Sequence, residues 1–192
     1  MFFRRLFACE VLLHFINKLL NITIKHSHLT RIGLISDTHG FLDKDVLTHF
    51  AQCDEIWHAG DFGTISIADE LAALKPLKGV FGNIDGPDVR SKFPQKLIWT
   101  CEEVTVYMTH IGGYPKKYAP GIKNELINAG AQLFICGHSH ILKVIYDPTT
   151  NCLHMNPGAA GKQGWHQVRT LLRFSIDGKE IKDCEVIELG KR

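Results

Sequence analysis

The chain has 192 residues, of which 45% are hydrophobic and 22% are charged, and its formal net charge is +2. This length predicts one domain with a core of its own, and the composition excludes a largely disordered chain. The small net charge and the lack of a long basic run argue against nucleic-acid binding by bulk electrostatics.

Residues 1–30 differ from the rest of the chain. Their apolar residues recur at alternating spacings of four and three, which predicts a helical stripe of Phe2, Leu6, Cys9, Leu13, Ile16 and Leu20. Glu10 and Lys18 interrupt the apolar run and no small-residue cleavage site follows, which argues against a signal peptide; the run is also too short and polar to span a bilayer. Three interpretations stay open: a surface or dimerisation helix, a helix on a membrane surface, or residues that the natural protein lacks. We expect the segment to be dispensable.

Residues 31–190 are predicted to form one α/β domain. In its first half, short apolar runs alternate with amphipathic segments, which is typical of a parallel sheet. The predicted strands are Ile32–Ser36, Glu55–His58 and Leu77–Phe81, and the predicted helices are Asp43–Gln52 and a segment with Ile67, Leu71 and Leu74 on one face.

The second half is predicted to be mostly strands. One helix carries Ile122, Leu126 and Ala129, and Gly130 is placed to end it. The predicted strands are Lys96–Thr100, Val104–Thr109 and Leu133–Cys136, followed by two hairpins, Leu142–Tyr146 with Cys152–Met155 and Val168–Ile176 with Glu180–Leu189.

Residue types that bind metals follow the apolar strands at the points where the strands end. Open α/β sheets place their sites at these carboxyl ends, so the side chains should meet in one crevice. Each motif alone is weak, because a turn or a capping Asp explains it equally well. Their occurrence in order argues against coincidence. The motifs are Asp37–Thr38–His39–Gly40, Gly60–Asp61, Gly82–Asn83–Ile84–Asp85, His110 and Gly137–His138–Ser139–His140.

The mixture of ligand types points to transition metals. Imidazole and carboxylate groups suit Mn, Fe, Zn, Ni or Co better than Ca or Mg. Two ions roughly 3.5–4 Å apart can clamp a phosphoryl group and lower the pKa of a shared water, which yields a hydroxide nucleophile. Asp61 is the natural candidate to bridge them. We expect two divalent transition-metal ions per chain, with Mn preferred over Ni, Fe, Zn or Co.

Taken together, the ordered motifs resemble the calcineurin-like metallophosphoesterase superfamily. The segments Asp37–Gly40 and Asn156–Pro157–Gly158 resemble its small bacterial and archaeal phosphodiesterase branch. The resemblance runs from about Arg31 to about Leu189. It implies an α/β fold, a four-layer sandwich of two mixed β-sheets flanked by helices.

The resemblance also implies roles for individual residues. One metal would be held by Asp37, His39, Asp61 and His140, and the other by Asp61, Asn83, His110 and His138. Asn83, Asp85 and His110 are the candidate catalytic residues, and Asp85 is expected to orient a neighbouring group. One departure concerns Ile84, because many members have a His there that contacts phosphate.

Two further features leave alternatives open. His58 lies inside a predicted strand just before Gly60–Asp61, either as a purely structural residue or as a support for the site. Trp165 and the stretch Gly158–Gly164 either line the substrate entrance or form a plain surface loop.

The sequence therefore favours a metal-dependent phosphoric ester hydrolase, most specifically a phosphodiesterase in which a metal-bridging hydroxide attacks phosphorus. The alternative is a catalytically weak family member that acts as a protein-binding scaffold, but a competent residue fills every ligand position. The expected partner is a small phosphate ester, without specific nucleic-acid binding or a transmembrane segment, and a homo-oligomer is left open. The six cysteines form no CxxC pair, which favours a reducing, cytoplasmic location.

Overall fold

Two mixed β-sheets of five strands each pack face to face, with helices on the outer faces. The computed structural model describes residues 29–192, so the helical stripe predicted for the amino-terminal segment and its three interpretations lie outside the described residues. The predicted four-layer sandwich is confirmed. Among residues 29–192, none of the helices has the length and apolar character that a membrane-spanning helix needs.

All the strands and helices predicted from residue 31 onward are present, with bounds that shift by a few residues. A short helix at Pro87–Lys92 and a small hairpin of Gly113–Tyr114 with Lys117–Tyr118 were not predicted. The strands are β1 (Leu29–Ile35), β2 (Glu55–His58), β3 (Leu77–Gly79), β4 (Lys96–Cys101), β5 (Val104–Thr109), β6 (Gly113–Tyr114), β7 (Lys117–Tyr118), β8 (Leu133–Ile135), β9 (Lys143–Asp147), β10 (Cys152–Asn156), β11 (Val168–Asp177) and β12 (Glu180–Lys191). The helices are α1 (Lys44–Phe50), α2 (Ile65–Leu74), α3 (Pro87–Lys92) and α4 (Ile122–Ala129).

The strand order explains how distant motifs come together. The first sheet has the order β12-β11-β1-β2-β3, and the second has the order β4-β5-β8-β10-β9. Strands β1, β2 and β3 are parallel, as predicted, and so are β5, β8 and β10. Both predicted hairpins, β9–β10 and β11–β12, are antiparallel pairs. In each sheet, the carboxyl ends of the parallel strands therefore share one edge.

Alternation along the strands supplies the apolar layers. In β1, Ile32 and Leu34 lie in the core between the two sheets, whereas Ile35 belongs to the layer under the helices. Residue 33 lies on the same face of the sheet as Ile35, the face that the helices cover. An added Cβ at Gly33 would lie 2.5 Å from the ring of Phe50, so the glycine is what allows α1 to pack directly on β1.

Candidate metal centre

Six side chains at the strand ends form two neighbouring groups. In each group, one ligand atom from each residue lies within 4.8 Å of the others. The Asp37 group consists of Asp37, His39 and His140, and the Asp61 group consists of Asp61, His110 and His138. The structure thus brings together six of the seven residues that the sequence predicts as ligands.

A carboxylate oxygen of Asp61 lies close to histidines of both groups. Oδ2 of Asp61 lies 3.2 Å from Nε2 of His110, in its own group. The same oxygen lies 3.7 Å from Nε2 of His39, in the other group. If two cations were bound, Asp61 could contribute to both.

The backbone at the site is strained. Residues other than glycine rarely adopt a left-handed backbone conformation. This conformation costs on the order of 1–3 kcal/mol per residue and persists only where the surrounding structure enforces it. The loops are held by main-chain bonds, from N of Asp37 to O of Gly60 and from N of His39 to O of Asp61, each 3.0 Å. Five of the six grouped residues have positive φ: Asp37 (55°), His39 (49°), Asp61 (58°), His138 (66°) and His140 (57°). Clustering of strain here fits a functional site.

The carboxylate of Asp37 shows that the Asp37 group suits a cation. Its Oδ2 accepts a hydrogen bond from the backbone N–H of His138 at 3.1 Å. Its Oδ1 is buried and, within residues 29–192, accepts no hydrogen bond, although Nε2 of His140 lies only 3.1 Å away. A buried anionic oxygen without a donor is strongly unfavourable. A divalent ion among these atoms would satisfy it, so the residues fit a metal.

The Asp61 group is electrostatically similar. Nδ1 of His110 donates to the carbonyl of Ala59 at 2.8 Å, which leaves Nε2 free to present a lone pair. That Nε2 is buried and makes no hydrogen bond to the described residues. Burial disfavours the imidazolium form of His110, but the carboxylates of Asp61 and Asp37 outweigh it and raise the pKa. The cluster therefore attracts positive charge, which a metal ion can supply in place of a proton.

The loop that follows β3 is held by groups around the site. The carboxylate of Asp85 accepts from the backbone N–H groups of Gly63 and Gly82, both at 2.8 Å, so it orients two loops. Arg90, on the unpredicted helix α3, donates to the carbonyls of Asp85 at 2.6 Å, Gly82 at 3.2 Å and Asn83 at 3.3 Å. Sequence reasoning missed Arg90, and nothing in its spacing signals this role.

Asn83 is the seventh predicted ligand. It lies on the same loop with an exposed side chain and borders a cavity of about 250 Å³ that His110 also lines. Ile84 follows it; its backbone N–H donates to Oδ1 of Asp61 at 3.0 Å, and its side chain is 46% exposed. The ligand role of Asn83 stays a prediction.

His58 joins two loops of the site. Gly60 N–H donates to its Nδ1 at 3.1 Å, so the other nitrogen carries the proton and faces Thr38 Oγ1 at 3.0 Å. Its ring stacks on Phe62 at 3.6 Å. Burial lowers the pKa of His58 to about 3, so the ring is neutral at ordinary pH. These contacts favour the interpretation that His58 supports the site.

The loop with His138 and His140 is held by Asn156. Its amide Nδ2 donates to the carbonyl of Gly137 at 2.9 Å and to Oγ of Ser139 at 3.1 Å. This gives the Asn156–Pro157–Gly158 motif a physical role. Beyond it, His166 contacts the ring of His140, a contact that sequence reasoning missed because His166 has no motif around it. Trp165, beside His166, is 99% exposed.

The family follows from a comparison of sequences. A family model, the calcineurin-like phosphoesterase superfamily domain, matches residues 30–179. The chain belongs to this superfamily, whose members generally bind divalent metals and whose class of reaction is phosphoester hydrolysis.

Individual relatives agree with that assignment. A protein of Methanothermobacter thermautotrophicus named "Probable metallophosphoesterase" is 27% identical over 164 residues, covering 83% of this chain and 92% of the relative. The E. coli phosphoesterase Yfce has a TM-score of 0.55 at 18% identity, covering 81% of this chain and 98% of its own. Vps29 of Entamoeba histolytica, solved in complex with Zn²⁺, has a TM-score of 0.65 at 14% identity, covering 83% and 99%. The two structures support the fold alone.

Proposed function

We propose that this protein is a phosphodiesterase that works with two divalent metal ions, one in each ligand group. Asp37, His39 and His140 would hold one ion, and His110, His138 and Asn83 the other. Asp61 would contribute to both. The observation that carries the proposal is the position of Asp61 Oδ2 between His110 and His39, at 3.2 and 3.7 Å.

The division of labour follows from the residues. When bound, the ions supply Lewis acidity, which lowers the pKa of water towards about 7 and stabilises charge that develops on the phosphoryl group. His110 is held in one tautomer by the Ala59 carbonyl, so its Nε2 always faces the site. The Asn83 amide can donate to a phosphoryl oxygen from a loop that Asp85 and Arg90 hold in place.

The charge around the site favours a diester over a monoester. A diester carries one negative charge near neutral pH, whereas a monoester carries nearly two. Among the residues that line the cavity beside His110, only Arg90 is cationic. Its Nε and one terminal nitrogen already donate to backbone carbonyls. The side chain of Ile84 cannot donate a proton, which further favours substrates with a good leaving group.

The test is metal binding followed by a substrate panel. We expect about two divalent ions per chain by elemental analysis, loss of turnover on chelation, and better recovery with Mn²⁺ than with Mg²⁺. Diesters should be hydrolysed faster than the matching monoesters. A protein that binds no divalent ion would rule out the proposal. A protein that binds two ions but hydrolyses no ester would instead favour the scaffold alternative.

A further inference from the structure

The ring of His140 needs a partner on its far side. Its Nε2 faces the Asp37 group, 3.1 Å from Asp37 Oδ1 and 3.3 Å from Nε2 of His39. A histidine that binds a metal through one nitrogen usually donates the N–H of the other, which fixes both the tautomer and the ring orientation. In the Asp61 group, the Ala59 carbonyl serves His110 in this way.

His166 offers an acceptor beside His140. The two rings meet edge to face, with centroids 5.2 Å apart and planes at 71°. Nε2 of His166 lies 3.0 Å from the carbonyl of Gly161, and because a carbonyl can only accept, that nitrogen carries the proton. Nδ1 of His166 therefore carries no proton and presents a lone pair. It is buried and has no hydrogen-bond partner among residues 29–192.

Gly164 shows that the two Nδ1 atoms border the same space. A Cβ built on this glycine would lie 2.1 Å from Nδ1 of His140 and 3.3 Å from Nδ1 of His166. The absence of a side chain at residue 164 thus keeps open the space between the two rings. The two atoms form no hydrogen bond as they stand, and a rotation of the rings into this space would join them.

We propose that His166 is a positioning residue for His140: its Nδ1 accepts the N–H of His140 Nδ1 and so aims His140 Nε2 at the metal. The inference rests on the proposed function. The same segment is tied to the other end of the Asp37 group, because Gly161 N–H donates to the Asp37 carbonyl at 3.0 Å. The segment from Gly161 to His166 thus supports both Asp37 and His140.

Two substitutions distinguish the acceptor that His166 offers to His140 from the hydrogen bond that His166 donates to Gly161. In His166→Asn, the amide oxygen can stand where Nδ1 stood, which keeps an acceptor for His140 but loses the bond to Gly161. In His166→Gln, the amide nitrogen can still donate to Gly161, but no acceptor remains beside His140. The full chain, stripped of metal, is titrated with Mn²⁺ by calorimetry. We expect His166→Gln to weaken one of the two binding equivalents by about 10–100-fold, and His166→Asn to retain most of the affinity.

The matched control is His154→Gln. His154 also has a buried Nδ1 without a partner among the described residues, but it packs against Phe134 and is not a candidate ligand. The His154→Gln variant should bind both equivalents of Mn²⁺ as the wild type does. The melting temperature of each variant reports on its folding. Wild-type affinity in both His166 variants, or a greater loss in Asn than in Gln, would overturn the inference. A wild-type protein that binds no metal would instead overturn the proposed function.

Discussion

The two ligand groups are held in place in different ways. In the Asp61 group, main-chain groups hold two of the ligands: the Ala59 carbonyl, just after β2, accepts from His110, and the Ile84 N–H, on the loop after β3, donates to Asp61. In the Asp37 group, the ring of His140 contacts His166, which lies on the long connection between β10 and β11 and which we propose to hold it. The support of His110 thus comes directly from the end of a strand, whereas the proposed support of His140 comes from a loop.

This contrast has a consequence for metal binding. The Ala59 carbonyl directly follows β2 and moves little, because the sheet fixes it, whereas His166 lies on a loop, and loops open at a lower free energy. We therefore expect the Asp61 group to bind its ion more tightly than the Asp37 group does. Substitutions at or beside Asp61 should weaken the binding of both ions, and substitutions in the loop that carries His166 should weaken the binding of one.

The largest effect should come from Asp61→Ala. Because Asp61 Oδ2 lies between ligands of both groups, its removal should weaken the binding of both ions. Loss of the charge stabilisation that the metals provide amounts to several kcal/mol, or about 10³-fold or more in turnover. The measurement is kcat on a diester together with metal stoichiometry. Asp69→Ala is the control, since Asp69 is a surface partner of Lys92. A variant with two bound ions and near-normal kcat would show that Asp61 is not shared.

A pair of glycine substitutions tests the contrast directly. A Cβ on Gly82 would lie 2.0 Å from Oδ1 of Asp61, so Gly82→Ala should displace this carboxylate and weaken the binding of both ions. A Cβ on Gly164 would lie 2.1 Å from Nδ1 of His140, so Gly164→Ala should weaken one ion by about tenfold or more. Gly86→Ala is the control, because nothing lies within 4 Å of its added Cβ. Calorimetric titration with Mn²⁺ resolves the outcomes. If both variants weakened the same single equivalent, the two groups would not differ as described.

The contrast also marks what the sequence could predict. Asp61 and His110 follow apolar runs, so the sequence places both at strand ends. They lie beyond β2 of the first sheet and β5 of the second, so their convergence is implied by the family resemblance and not by strand order. Helix α3 could not be predicted, because six residues are too few for a periodic signal. The contact of His166 with His140 arises because β11 pairs with β1 in the first sheet, while His140 follows β8 in the second. Local sequence carries no trace of such a long-range pairing.

A smaller effect is expected at Ile84, which borders the Asp61 group. General acid catalysis typically contributes about 10²–10⁴-fold, and it matters most for poor leaving groups. The Ile84 side chain is exposed at the site and cannot donate a proton. Ile84→His should therefore raise turnover of alkyl diesters by about tenfold, short of the full range because the new ring is not held in place. Aryl diesters should change little.

The measurement for Ile84 is kcat over a series of diesters with graded leaving-group pKa. Ile84→Gln is the control, since it adds a polar side chain without a group that titrates near neutral pH. The wild type and the Gln variant should depend steeply on leaving-group pKa, and the His variant less so. Equal slopes in all three proteins would mean that another group protonates the leaving oxygen.

The smallest effect should come from removing residues 1–28. Strand β1 begins at Leu29, which pairs with Asp177, and every candidate ligand lies further along the chain. A chain that begins at Leu29 keeps β1 between β11 and β2, and thus both ligand groups. We expect unchanged metal stoichiometry, turnover and melting temperature. A chain that begins at Ile35 is the control; it loses almost all of a central strand and should not fold. A large drop in melting temperature for the chain from Leu29 would place the removed segment in the core, and loss of self-association alone would make it a dimerisation helix.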